Sequence, residues 1–389
     1  MRLGIVGGAL QGIEAAYLAK KAGYDTIVID RRKTAPALSL ADEAVVLDVE
    51  KHEPMAKKVL SQCDAVIPAN ENLSTLVALD KMFREISIPF IFDLSAYKLS
   101  SSKALSNRYL EGLNVPTPAR WPYCGLPVIV KPSGQSGSVG VAMATNEAEV
   151  ERGERRVREL GDEAIIQEFV EGTSISIEVI GDGEKAVPLT LTEVVTDDTY
   201  DCRMVRCPVD GLDRGVAESF SRCARKIAEG LRLRGIMDVE AIVHNDIPKV
   251  LEIDARIPSQ TPIAVYHATG LNMVELLVKA VACGELDENP PVRNGASIYE
   301  HIAVDDGSVR SCGEGIFSEV RQPRIQAGLF GSDEMITDFS PDKKSWRATI
   351  ICAGPTAQSA WSKRVDCIGS IMRQNDLAGC DELHAGVAF

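Results

Sequence analysis

Residues 238–256 read Asp-Val-Glu-Ala-Ile-Val-His-Asn-Asp-Ile-Pro-Lys-Val-Leu-Glu-Ile-Asp-Ala-Arg: two apolar runs with acidic residues at every second position, flanking a polar turn. Along a β-strand alternate side chains share a face. Asp238 and Glu240 therefore point one way on their run, and Glu252, Asp254 and Arg256 do so on theirs. Paired as a hairpin, the runs gather several carboxylates around one guanidinium. Clustered carboxylates raise one another's pKa unless a cation sits among them. Oxygen donors too few to close a cage suit Mg2+, whose shell keeps room for substrate phosphates. On this reading Glu240, Glu252, Asp254 and Asp238 are metal candidates. A solvated polar face on an edge hairpin is the plain alternative.

A second stretch strengthens the metal reading. Val128-Ile-Val ends in Lys131, and a loop containing Ser133, Gly134, Ser136, Gly137, Ser138 and Gly140 follows. Glycines let backbone N–H groups approach a phosphate without Cβ interference. The serine hydroxyls add donors, and Lys131 adds a point charge. The lysine precedes the glycines, so this is not a P-loop. An ordinary glycine-rich hairpin turn would look similar on its own.

Length allows two or three domains in 389 residues, and 45% hydrophobic residues mark a globular chain. A net charge of −14 argues against a nucleic-acid or anionic-membrane partner and suits cationic small substrates. No apolar run is long enough to span a membrane. Ten cysteines without CxxC pairing read as thiols of a reducing cytoplasm, and no secretory leader is read at the start. Five histidines in no metal-binding pattern give no reason to expect zinc.

The chain is expected to be α/β. Residues 1–98 alternate strands (Leu3–Val6, Thr26–Ile29, Ala44–Leu47, Ala65–Pro68, Pro89–Phe92) with helices, the rhythm of a Rossmann-like parallel sheet. Residues 95–102 read as a polar linker and 103–112 as a helix. Residues 119–185 read as a small α+β lid, and 99–118 with 186–297 as a central domain carrying the acidic hairpin. Residues 298–389 read as a β-rich extension with a covering or dimer role. In the first domain Gly7-Gly8-Ala9-Leu10-Gln11-Gly12 joins strand to helix and Asp30 ends the second strand. Ala9 replaces the middle glycine of the dinucleotide fingerprint and narrows the approach of a pyrophosphate. Leu10, Gln11, Gly12 and Asp30 are thus candidates for a second nucleotide or substrate site, against a turn that merely closes the sheet.

Taken in order, these motifs resemble the ATP-grasp ligases over about residues 1–297. Such enzymes trap ATP between two α+β subdomains, phosphorylate a carboxylate and let an amine attack the acyl phosphate. The resemblance implies ATP and Mg2+ as cofactors. It makes Lys103 and Lys131 the ATP lysines and Ser133–Gly140 the loop over the phosphates. Ile165-Ile-Gln167-Glu168-Phe169-Val170 becomes the adenine strand. Gln167 and Glu168 would reach the adenine amine by backbone or side chain, with Val170 packed on the ring. Ser174 stands where an acid often binds ribose. Glu240 and Glu252 match the metal carboxylates, Asp254 replaces the usual Asn, and Arg256 matches the arginine that steadies the transferred phosphate. The opening Leu-Gly-Ile-Val-Gly-Gly-Ala-Leu-Gln-Gly-Ile-Glu and the run Glu252–Pro262 look like the pyrrolysine-biosynthesis branch. That branch joins the carboxylate of 3-methyl-D-ornithine to the ε-amine of L-lysine.

Amino-acid substrates want carboxylates for their ammonium groups and arginine or hydroxyls for their carboxylates. Glu71, Glu178, Glu193, Asp201, Asp238 and Glu300 are candidates for the first. Arg203, Arg206, Ser259, Gln260 and Thr261 are candidates for the second, the last three because they directly follow the metal strand. Tyr200 and His267 read as packing or surface residues. Two other function classes stay open: a nicotinamide-dependent oxidoreductase built on Gly7–Gly12 and Asp30, and a nucleotide sensor without chemistry.

Overall fold

The computed structural model describes residues 1–305, 307–375, 377 and 379–381. The first sheet has β1 (Arg2–Val6), β2 (Asp25–Asp30), β3 (Glu43–Val46) and β4 (Ala65–Pro68), all parallel in the order β3-β2-β1-β4. Helix α1 (Leu10–Lys21) connects β1 to β2, α2 (Glu53–Leu60) connects β3 to β4, and α3 (Leu73–Phe83) follows β4. The strand expected at Pro89–Phe92 shrinks to one bridge, Phe90 to Val66, since Pro89 has no N–H to extend a ladder. Residues 95–102 are not a linker: α4 (Leu94–Ser100) forms there. The Asp93 carboxylate accepts the N–H groups of Ser95 and Ala96, and Ala96, Tyr97 and Ser100 are buried. A cap and one buried face are enough to make a short polar stretch helical. Next comes α5 (Lys103–Gly112), capped by Ser102.

The second sheet is the expected lid: β5 (Val128–Pro132), β6 (Ala142–Ala144) and β7 (Ala164–Glu168), antiparallel in the order β6-β5-β7. Helix α6 (Glu147–Glu159) covers it through Val150 and Val157, one heptad apart. The lid ends earlier than expected. β8 (Thr173–Asp182) pairs along its length with the acidic hairpin, so it belongs to the third sheet and not to a lid reaching residue 185.

That third sheet adds β9 (Ala186–Pro188), β10 (Thr192–Thr196), β11 (Cys202–Cys207), β12 (Arg234–His244), β13 (Ile247–Asp254), β14 (Ala296–Asp305), β15 (Ser308–Ser311), β16 (Arg324–Ala327), β17 (Glu334–Thr337) and β18 (Trp346–Gly354). Its main path runs β13-β12-β8-β10-β11-β14-β18-β17-β16. Because β14 pairs with β11, strands β14 to β18 continue this sheet. Its helices are α7 (Arg214–Leu231), α8 (Thr261–Thr269), α9 (Met273–Val278), α10 (Glu314–Phe317) and α11 (Ala357–Gln374). Helix α1 is buried from Gln11 to Ala19. It lies between its own sheet and α8 and α9, which explains why it is apolar nearly all round. No helix among the described residues is long and apolar enough to cross a membrane.

Candidate active site

Strands β12 and β13 form the expected hairpin. Asn245 and Asp246 both have positive φ (49° and 61°), the two-residue turn whose twist matches its strands. The register sets Asp238 opposite Asp254 and Glu240 opposite Glu252, with a bulge after Glu240. Directly opposed side chains have Cβ atoms about 5 Å apart, so like charges there are destabilising on their own. On the other flank, β8 places Glu178 opposite Asp238. The lid faces this hairpin across a cavity of about 460 Å3, whose wall includes Lys103, Lys131, Gln167, Val170, Ser174, Glu240, Glu252 and Arg256. That volume suits a nucleotide-sized ligand.

The cations meet the acids. Lys103 Nζ lies 2.7 Å from Glu252 Oε1 and donates to the Gln135 carbonyl at 2.6 Å. Lys131 Nζ reaches the Leu251 carbonyl at 3.4 Å. Arg256 lies 2.8 Å from both Asp254 and Glu71. Burial lowers the Lys131 pKa, against the pull of nearby Glu252. Burial is also the largest cause of the raised carboxylates: Glu240 is pushed up to about 8, and Asp238 and Asp254 to about 7. Their acidic neighbours push the same way, whereas Arg256 opposes.

The donor chemistry fits a divalent cation. Asp254 Oδ1 is buried without a hydrogen-bond partner, and Glu240 and Glu252 face one another. Among the described residues no group of three or more such side chains closes into a metal cage. The protein offers an open carboxylate pair, the kind of site that shares its ion with phosphates.

Beyond the Lys103 bond to the Gln135 carbonyl, three serines hold the lid loop over the cavity. Ser133 Oγ accepts from the Ala104 N–H at 3.1 Å, Ser136 donates to Glu71, and Ser138 donates to the Tyr200 carbonyl at 2.7 Å. The backbone of Gly134 is tied to Asp162 at 3.0 Å. Gly137 and Ser138 both have φ near +60°, so the loop tip needs glycine-like backbone freedom. In the segment expected to hold adenine, Gln167 is buried and Val170 lines the cavity. The Glu168 carboxylate does not reach inward. Lys249 holds it at 2.7 and 2.8 Å and the Ala119 N–H at 3.1 Å, while Glu168 and Phe169 both line the cavity.

The N-terminal turn contributes differently from expectation. Asp30 folds back to accept the N–H groups of Gly8 (2.8 Å) and Arg32 (2.7 Å). A Cβ on Gly12 would stand 2.3 Å from the Gly7 carbonyl, and the Ala37 N–H donates to the Gly8 carbonyl. The turn is thus packed closely by its own chain at Gly8 and Gly12. Leu10 packs against the main core. Only Gln11 reaches the site, donating to Glu71 at 2.7 Å. Arg256, Ser136 and Gln11 together hold the Glu71 carboxyl below its usual range despite burial.

Beyond β13, Ser259 donates to Glu314 Oε2 at 2.9 Å, and the Gln260 amide lies 3.2 Å from the same oxygen and 3.0 Å from His301. Thr261 Oγ1 is buried at the cavity wall and makes no well-aligned hydrogen bond, though it stands near enough to Glu178 to ease the charge on that carboxyl. Burial, reinforced by Asp201, raises the Glu314 pKa. Nothing in the amino-acid pattern pointed to Glu314, since it enters from a segment read as a mere cover. Tyr200 (φ 64°) and Asp201 also line the cavity, so Tyr200 is not a plain packing residue. Other candidates fall elsewhere. Glu300 pairs with Arg364 at 2.7 Å and Glu193 with Arg206 at 3.4 Å, while Arg203 is outside the cavity wall. Glu178 is fully buried behind Asp238. His267 packs on Tyr17, as expected of a packing residue.

Residues 97–260 match the family model of the ATP-grasp domain, and residues 3–91 match that of the PylC-like N-terminal domain. The chain is 38% identical over 306 residues to the 3-methyl-D-ornithine–L-lysine ligase of Methanosarcina barkeri, covering 78% of this chain and 80% of that one. The enzyme of the same name from Methanosarcina mazei is also 38% identical, over 81% of each chain. Among solved structures, the biotin carboxylase domain of Hydrogenobacter thermophilus 2-oxoglutarate carboxylase, with MgADP and bicarbonate, superposes with a TM-score of 0.74 at 19% identity. That match covers 95% of this chain and 89% of that one. N5-carboxyaminoimidazole ribonucleotide synthetase from Thermus thermophilus gives a TM-score of 0.70 at 17% identity, over 99% and 100%. At such identities the structural matches speak for the fold.

Proposed function

Since the chain belongs to the ATP-grasp family of 3-methyl-D-ornithine–L-lysine ligases, we propose that it joins the carboxylate of 3-methyl-D-ornithine to the ε-amine of L-lysine. ATP drives the step through an acyl phosphate. The observation that carries this reading is one cavity in which Lys103, Lys131 and Arg256 face Glu240, Glu252 and Asp254 under a glycine-rich lid.

Each group has a task set by its position. Lys131, coming from the lid, and Lys103, coming from α5, bracket the space where a triphosphate would lie; their charge offsets its oxygens. Glu240 and Glu252 would hold Mg2+, which when bound neutralises the transferring phosphate. Arg256 stands between Asp254 and Glu71, aimed at the charge that develops on the transferred group. In the first half-reaction a carboxylate oxygen of the ornithine attacks the γ-phosphorus and ADP leaves. In the second, the uncharged lysine amine attacks the acyl carbon, phosphate leaves and one proton is released. Asp201 and Glu314 give the pocket an acidic wall for substrate ammonium groups, and Glu71 pairs with the wall residue Arg256. Ser136 and Ser138 close the lid on Glu71 and Tyr200 and so keep water from the acyl phosphate.

Isotope transfer tests this path. With the ornithine carboxylate labelled with 18O, one label should appear in the released phosphate for each amide formed. Label retained wholly in the amide and unreacted acid would reject the acyl phosphate.

A further inference from the structure

Helix α8 carries the Ser259–Gln260–Thr261 turn at its start, yet it lacks a local cap. Gln260 is its N-cap, with φ 78° and ψ −48°, and makes no capping bond. Its side-chain amide instead faces Glu314 and His301 at the cavity. The free N–H groups of a helix start need an acceptor from somewhere. It comes from the other end of the chain. Glu14, on α1, is 1% exposed; its Oε2 accepts the Ile263 N–H at 2.9 Å and its Oε1 accepts the Tyr299 hydroxyl at 2.9 Å. The Gln260 backbone also donates toward it. Tyr299 packs edge-on against His301, the residue that meets the Gln260 amide. One helical turn earlier on the same helix, Gln11 holds Glu71, which holds Arg256.

A local Ser or Asp would cap α8 at lower desolvation cost than a buried glutamate. Using Glu14 frees Gln260 and Thr261 to face the cavity. We propose that Glu14 is a positioning residue. It fixes the Ser259–Gln260–Thr261 turn so that the Gln260 amide and the Thr261 hydroxyl are presented to one of the two amino-acid substrates, without touching that substrate itself. The proposal deepens the amino-acid ligase reading and rests on it. Burial pushes the Glu14 carboxyl up to about 8, so a neutral glutamine of the same shape is a fair replacement.

The test measures binding of ATP, L-lysine and D-ornithine separately by calorimetry on the full-length protein, so it needs no turnover. Glu14→Leu should weaken one amino acid about tenfold and leave ATP within about twofold, whereas Glu14→Gln should stay within about threefold of the native protein. Tyr299→Phe, which keeps the Ile263 bond, should weaken the same amino acid about threefold. Unchanged amino-acid affinity in a folded Glu14→Leu protein overturns the proposal, and so does an equal loss for all three ligands. If Glu14→Leu does not fold, unchanged affinity in Tyr299→Phe overturns it. Native protein that binds ATP but neither amino acid would sink the ligase reading instead, and this proposal with it; selective loss in the variants separates the two cases.

Discussion

Residue by residue, the site is governed by carboxylates that the fold holds above their usual pKa. Glu240, pushed up to about 8 by burial and by Asp238 and Glu252, keeps its proton in the folded chain and sheds it when unfolded. The folded state therefore binds more protons, and stability falls as pH rises from the ordinary carboxylate range towards 8. Glu240→Gln removes that penalty. Its melting temperature should exceed the native value at pH 8 by a few degrees and match it near pH 4, while ligase turnover drops by at least about 100-fold. Equal melting at both pH values would contradict the assignment. These carboxylates were legible in the sequence because a period of two is enough to put Glu240, Glu252 and Asp254 on shared faces. Glu314 was not, since a lone acid on a four-residue helix carries no periodicity. Glu168 lies at the cavity where its spacing put it, but nothing in the sequence showed that Lys249, on a distant strand, would hold its carboxylate.

Among the elements, the lid loop and the hairpin act as two jaws. The hairpin is rigid: its turn type, its bulge and its pairing with β8 fix it. The lid loop has no strand pairing and is held by the Ser133, Ser136 and Ser138 hydroxyls, the Lys103 ammonium and Asp162, so it is the part that can open. Gly140 has φ 77°, and a Cβ there would stand 2.9 Å from Pro132. Gly140→Val should thus raise the KM for ATP by about tenfold or more while the far-ultraviolet circular dichroism stays native; an unchanged KM would show that the loop does not gate the nucleotide. Strands and capped helices with clear patterning, such as β1, β4 and α5, were readable in advance. Helix α8 was not: it is buried on nearly every side and carries Pro262 in its first turn, so it shows neither an amphipathic stripe nor an uninterrupted helical pattern. Helix α4 hid inside a polar stretch that only the Asp93 cap and tertiary burial reveal.

Across the molecule, the sequence suggested a core enzyme with a separate tail, and the sheet says otherwise. β14 pairs with β11 on one edge and β18 on the other, and α10 brings Glu314 to the cavity. α1 reaches across to the same region: Tyr17 bonds to His267 and Glu334, and Asn272 donates to the Leu18 carbonyl at 2.8 Å. Long-range strand pairing of this kind leaves no composition break to read. A chain ending at residue 295 would expose the β11 edge and the face that Phe317 covers, so it should elute as aggregate in size-exclusion chromatography and release no ADP. A monodisperse, active truncation would show that the C-terminal part is only a cover.

If one cavity couples ATP to the joining of two amino acids, the chemistry can be weighed. The decisive quantity is the mass of what accumulates when the native protein is given ATP, Mg2+, 3-methyl-D-ornithine and L-lysine. A new species equal to the two amino acids less one water is expected, with one ADP formed per molecule and none when either amino acid is left out. ADP that accumulates without a new amide, or an amide formed without ATP, would contradict the coupling.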